Sequence, residues 1–127
     1  MEGYTDGEDP ILHLVTTAEA VAAAGLPFTF TDGHAELAVS EFFDDLTQLA
    51  DKIDWKVMAS TYWNDTPEDP DRKRKRQAEL LVHHFAPWSL VQSIGVKNLV
   101  MKERVEEMLA TATHRPVVTV KRNWYYR

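Results

Sequence analysis

The amino-acid sequence reads as an α+β domain, a small mixed sheet with flanking helices. Short apolar runs bounded by turn residues recur along the chain, as strands do. Alanine-rich or three-and-four-spaced apolar stretches interrupt them, as helices do. Strands broken by helices come early, and the later part is richer in strand signals. With 127 residues, 44% hydrophobic and 27% charged, the chain matches one ordinary soluble domain rather than a disordered or fibrous protein.

Residues 1–10 (MEGYTDGEDP) are acidic and turn-rich, an exposed lead-in to a domain over 11–127. Ile11–Val15 is a short apolar run that suits a buried strand. Thr16 or Thr17 can cap a helix over Ala18–Ala24, which Gly25 stops. Phe28-Thr29-Phe30 reads as a second strand, and Thr31-Asp32-Gly33 as a turn and helix cap. Ala35, Ala38, Phe42, Leu46 and Leu49 then recur at spacings of three and four and predict one helical stripe. Asp54 caps a further short helix carrying Trp55, Met58 and Tyr62. Asn64–Asp71, with two prolines and four acids, is a loop. Gln77–Phe85 alternates as a strand that Pro87-Trp88 ends, and Ile94–Val96 is a short strand. Met101, Val105, Met108 and Ala112 mark an amphipathic helix. Val117–Tyr126 is rich in β-branched and aromatic residues, a strand by propensity.

Charge is distributed unevenly. Residues 1–71 hold sixteen acids against Lys52 and Lys56, a net −14, while residues 72–127 hold four glutamates against twelve lysines and arginines, a net +8. No arginine precedes Arg72. Two readings follow: a polyanionic partner for the basic part, or mutual neutralisation of the halves on folding. The absence of cysteine excludes disulfides and thiolate metal sites. No stretch approaches the roughly 18 apolar residues of a membrane span, and residues 1–10 are too acidic for a signal peptide, so the cytoplasm is expected.

The stretch DPDRKRKRQAELLVH, Asp69–His83, is where chemistry is expected. On a strand, Gln77 and Glu79 would share one accessible face while Ala78, Leu80 and Val82 faced the core. A carboxylate on a rigid strand is placed to hydrogen-bond a substrate hydroxyl or accept a proton. Arg72, Lys73, Arg74, Lys75 and Arg76 would tip a flexible loop suited to phosphates. The alternative is a solvated basic turn, with Glu79 partnering one of its arginines.

These residues also carry a family resemblance. FTFTDGHAELAVSEFFDDL, IDWKVM, YWNDTPEDPDRKRKRQAELLVHHFAPW, SIGV and the closing WYY together resemble the second half of DarT-type DNA ADP-ribosyltransferases, toxins of the DarT/DarG toxin–antitoxin family. The likeness runs from about Pro10 onward and implies the second half of an ADP-ribosyltransferase fold. It implies that Glu79 is catalytic and that NAD is the co-substrate. The acceptor is then a base in single-stranded DNA, usually thymine, with Arg72–Arg76 and Gln77 as the substrate loop. Loss of nicotinamide develops positive, oxocarbenium-like charge on the ribose, which a carboxylate on the ribose hydroxyl stabilises. A base is reachable only when unstacked, which favours single strands. A macrodomain antitoxin that removes the modification is the implied partner.

Family members carry a further N-terminal half that clasps NAD. The chain is therefore expected to correspond to the C-terminal part alone, with no cofactor-binding residue assigned. Faces that pack on that half would be exposed, favouring a homodimer, association with a separate half, or an inactive DNA- or partner-binding remnant. Among other residues, Trp63 beside the loop is a candidate base contact, whereas Trp55, Tyr62, Trp88, Trp124, Tyr125 and Tyr126 suit packing. His13 reads as a core or edge histidine. His83 and His84, adjacent on a strand, would point to opposite faces, so no metal site is expected. Asp44, Asp45 and Asp51 form a solvated acidic helix surface.

Overall fold

Local propensity and turn chemistry account for most element boundaries in the computed structural model, which describes residues 7–125. In chain order the elements are β1 (His13–Val15), α1 (Ala18–Ala23), β2 (Phe28–Thr31), β3 (Phe42–Phe43), α2 (Leu49–Lys52), α3 (Trp55–Ala59), α4 (Arg72–Arg76), β4 (Leu80–Val82), β5 (Ser93–Val96), α5 (Leu99–Leu109) and β6 (Val117–Val120). This is the expected α+β architecture, with two three-stranded sheets in place of one. The chain divides into two compact units, one of Met1–Thr17 with Pro87–Arg127 and the other Ala18–Ala86. Tyr126 and residues 1–6 of the acidic lead-in lie outside the described residues.

In the first unit, β1 pairs antiparallel with β5, and β5 pairs parallel with β6. Parallel neighbours need a crossover, and α5 supplies it. Asn98 starts that helix by accepting the Met101 N–H at 3.0 Å. Val105 is buried against Ile94, Val96 and Val118, with Met101 and Leu109 beside them. The buried stripe is therefore 101, 105 and 109, one residue per turn. Met108, expected on that stripe, is exposed, because the helix rotates Leu109 inward instead. The last strand stops at Val120, and Arg122–Trp124 turns back as a 3₁₀ helix. That return sets His13 edge-on to Trp124 and Tyr125, at 5.4 and 5.0 Å between ring centres.

The second unit is built on the sheet β3-β2-β4, antiparallel throughout. Phe30 and Thr31 on its central strand are buried, together with Val21, Ile53 and Val57. Alanine favours α1, and Gly25, at φ +72°, ends it in the left-handed conformation that a side chain resists. Asp54 caps α3 by accepting from the Val57 N–H.

Three expectations fail here, each for a long-range reason. Residues 35–49 are not one helix: Asp32 bonds back to Glu41, and the Phe42-Phe43 pair joins β2 opposite Thr31 and Phe30. Pairing across the turn outweighs a local spacing that happened to match a helix. Asp45 then caps the 3₁₀ turn Leu46–Gln48, so Asp44 and Asp45 precede the helical segment. The basic run is not a flexible loop but the helix α4. Arg and Lys are good helix formers, and acids at 32, 54, 69 and 71 offset the like charge that the helix brings together. Finally, Gln77–Phe85 is not one strand. The helix runs into Gln77, whose N–H donates to the Arg74 carbonyl, and only Leu80–Val82 pairs with β2. Gln77 and Glu79 therefore sit before the strand.

Candidate active site

Glu79 leaves the helix-to-strand junction with its position set by β2. The Thr31 N–H donates to the Glu79 carbonyl at 2.9 Å, and the Thr31 hydroxyl accepts the Glu79 N–H at 3.1 Å. The same hydroxyl reaches the Gly33 carbonyl at 2.6 Å. Glu79 is exposed, and it belongs to the rim of an apolar recess of about 180 Å³. Phe30, Leu49, Ile53, Trp55 and Met58 are among its other walls. Sites that enclose a drug-sized ligand measure roughly 300–1,000 Å³. The recess is therefore suited to a single ring, with Glu79 the one charged residue of its lining among the described residues.

Upstream, Arg74 is the electrostatic centre of the unit. Its guanidinium forks onto Asp71 at 2.8 and 2.6 Å, and its Nη1 donates to Asp32 at 3.1 Å and to the Ser40 hydroxyl at 3.0 Å. Only 12% of the side chain is exposed. The bonds to Asp71, then to Asp32, drive the guanidinium pKa above its already high value despite partial burial. The same hydrogen bonds from Arg74 hold the Asp71 carboxyl below the ordinary range. Burial pulls the Lys75 ammonium down, but Asp69 at 3.3 Å and Asp54 at 3.4 Å outweigh it and raise the pKa.

Two of the other three basic residues of α4 are also engaged. Arg72 Nε donates to the Tyr62 carbonyl at 2.8 Å, and its Nη2 to the Ser60 hydroxyl. The Arg76 guanidinium lies 4.3 Å from the centre of the Trp63 ring, a cation–π pair. Its shielded Nε has no hydrogen-bond partner among the described residues. Trp63 remains 40% exposed. Lys73 and Gln77 are exposed. Four of the five cations thus hold the unit together, and Lys73 faces outward.

Sequence reasoning missed Thr31, Asp32 and Asp71 as parts of this site. The available signal was an acid-rich loop running directly into a basic stretch, which favours internal pairing. His13 lies in the other unit, against two aromatic rings. The reasoning about His83 and His84 fails as well. The strand ends at Val82, His84 takes φ +65° in a turn closed by Phe85 N–H to His83 C=O, and the two rings lie 3.9 Å apart. Among the described residues, no group of three His, Asp or Glu side chains is gathered around a metal-sized space. None of the described helices is long and apolar enough to cross a membrane.

The unit thus joins an exposed glutamate, its backbone held from β2, to the lining of a ring-sized apolar recess. The chain belongs to the DarT family, described as ssDNA thymidine ADP-ribosyltransferase, whose pattern matches residues 1–126. It is 42% identical over 125 residues to a DNA ADP-ribosyl transferase of Thermus sp. (strain 2.9), covering 97% of this chain and 58% of that protein. The Thermus aquaticus counterpart is likewise 42% identical, over 98% of this chain and 54% of its own length. Among solved structures, Thermus sp. 2.9 DarT in complex with NAD+ superposes with a TM-score of 0.89 at 41% identity, covering 98% of this chain and 62% of that one. The same protein in complex with ADP-ribosylated ssDNA gives 0.89, 41%, 98% and 58%. The chain spans a little over half the length of these curated relatives.

Proposed function

We propose that this chain forms the Glu79-bearing part of an enzyme that transfers ADP-ribose from NAD to bases, usually thymine, in single-stranded DNA. The observation that carries the reading is Glu79 itself, exposed at the rim of an apolar recess with its backbone clamped from β2. Its carboxylate accepts a hydrogen bond from the ribose hydroxyl and stabilises the positive charge that grows as nicotinamide departs. The recess seats one ring of the dinucleotide. The pyrophosphate needs cations from elsewhere, since the arginines of α4 are engaged within their own unit. Likeness to a relative solved with NAD+ and with ADP-ribosylated ssDNA supports both substrates.

On the DNA side, Lys73 contacts phosphate, and Trp63, backed by Arg76, offers its exposed ring to an unstacked base. Gln77 lies between them and Glu79 and faces the acceptor. The proposed setting is cytoplasmic, as a toxin whose modification a macrodomain antitoxin removes. The part of the relatives' length that this sequence does not span, or a second copy of the chain, completes the NAD site.

The test is transfer of labelled ADP-ribose to a thymine-containing oligonucleotide. Glu79→Gln should lower the rate by about 100- to 1,000-fold, the usual loss when one transition-state contact is removed. Equal rates for the two proteins would refute the assignment. Salt-sensitive oligonucleotide binding without transfer would favour a DNA-binding role instead, carried by the exposed Lys73 and Trp63.

A further inference from the structure

A carboxylate is useful only where its backbone is held still, and the local sequence does not hold Glu79. Ala78 and Glu79 form a short link between the Gln77 cap of α4 and the first residue of β4. The restraint comes from 48 residues away in sequence. Thr31 is fully buried, and both polar groups of the Glu79 residue end on it: the carbonyl on the Thr31 N–H, the N–H on the Thr31 hydroxyl. A hydroxyl has one proton and two lone pairs. Here the proton goes to the Gly33 carbonyl at 2.6 Å, leaving the oxygen to accept from Glu79.

The next residues hold the other end of the same segment. Asp32 takes the Arg74 guanidinium, and the His34 N–H donates to the Arg74 carbonyl at 3.0 Å. Gly33 lies so close to Arg74 that an added Cβ would collide with Nη1. Residues 31–34 therefore bracket the span from Arg74 to Glu79 at both ends.

We propose that Thr31 is a positioning residue for the reaction, its buried hydroxyl fixing the Glu79 backbone so that the carboxylate stays at the mouth of the recess. This rests on the reading of Glu79 as the reactive carboxylate. Valine has the same shape without the hydroxyl, so Thr31→Val keeps the strand pairing and leaves the Glu79 N–H without its acceptor. Thr31→Ser keeps the hydroxyl.

The expected result is a loss of about 100-fold in kcat for Thr31→Val, the scale of a small misplacement of a reacting group. KM for NAD should stay near its original value, and Thr31→Ser should restore most of the rate. NAD hydrolysis without DNA should fall in parallel, because the bracket acts on the carboxylate and not on the strand. Hydrogen exchange of the Glu79 amide, followed by NMR, gives a readout free of turnover. It should be slow in the original and serine proteins and fast in the valine protein, with β2 and β4 amides still protected. If Thr31→Val does not fold, Thr31→Ala gives the same comparison without the added methyl. Unchanged Glu79 exchange, or full activity, in the hydroxyl-less variant overturns the inference. An original protein with no transferase activity would refute the proposed function, while the exchange measurement would still decide the bracket.

Discussion

Gly33→Ala should destabilise the protein by about 2 kcal/mol, a figure that combines overpacking, lost hydrogen bonds and the chain entropy of the glycine. The new Cβ would collide with Arg74 Nη1 and lie 2.9 Å from the Arg74 carbonyl oxygen and 3.0 Å from its Cγ. Ordinary carbon contacts fall near 3.5–4.0 Å, so something must move by about an ångström. The flexible end of an arginine usually yields easily, but this one is pinned by Asp71, Asp32 and Ser40. Displacing Nη1 breaks its bonds to Asp32 and Ser40. Overpacking costs about 1–3 kcal/mol, and a hydrogen bond to a charged group about 1.5–3 kcal/mol. The part-exposed setting takes the lower end of both, and reduced freedom of the unfolded alanine chain returns about 0.4–1 kcal/mol. Urea unfolding followed by tryptophan fluorescence should show a lower midpoint with an unchanged slope. In an Arg74→Ala background the same substitution should cost less, because the crowding by the side chain is gone and only the Arg74 carbonyl oxygen at 2.9 Å remains. A cost below about 0.5 kcal/mol in the original protein, or equal costs in both backgrounds, would refute the packing argument.

Two further outcomes follow from the paired charges. Asp71 has a folded pKa below its ordinary value of 3.8, so its contribution is complete above that value and fades as pH falls through the depressed one. Stability should therefore drop below about pH 4, more gently in Asp71→Asn; the effect is small because the carboxyl is 42% exposed, and identical profiles would remove the role given to this pair. Lys73→Ala should make oligonucleotide binding less salt-dependent by a slope of about 0.7, one phosphate contact on a single strand. Lys75→Met, whose ammonium already meets Asp54 and Asp69, should leave that slope unchanged; the opposite ranking would contradict the assignment.

What could be read from the residues alone was what local chemistry decides. The stop at Gly25, the Asp54 cap, the 64–71 loop and the strand near Ile94 all follow from short-range signals, and each is found. The errors came where distant partners decide. Phe42 and Phe43 match a helical spacing yet pair with β2, since a neighbouring strand offers hydrogen bonds that no window of sequence contains. The basic run invited a reading as a free phosphate-binding loop. Its acids lie at 32, 54, 69 and 71, and only the fold gathers them. The residue pattern made Glu79 a candidate and the family resemblance gave it a catalytic role, whereas its support by Thr31 depends on a pairing 48 residues apart.

Anchoring both ends of the Arg74–Glu79 span has a consequence for how such a protein can diversify. Gln77 lies between the two anchors with its side chain in solvent, and neither anchor uses that side chain. Exchanging it rewrites the outward chemistry of the span while the carboxylate keeps its coordinates. On the proposed function, the surface that chooses a target and the group that reacts with it are then separate parts, and one can drift through many sequences without retuning the other.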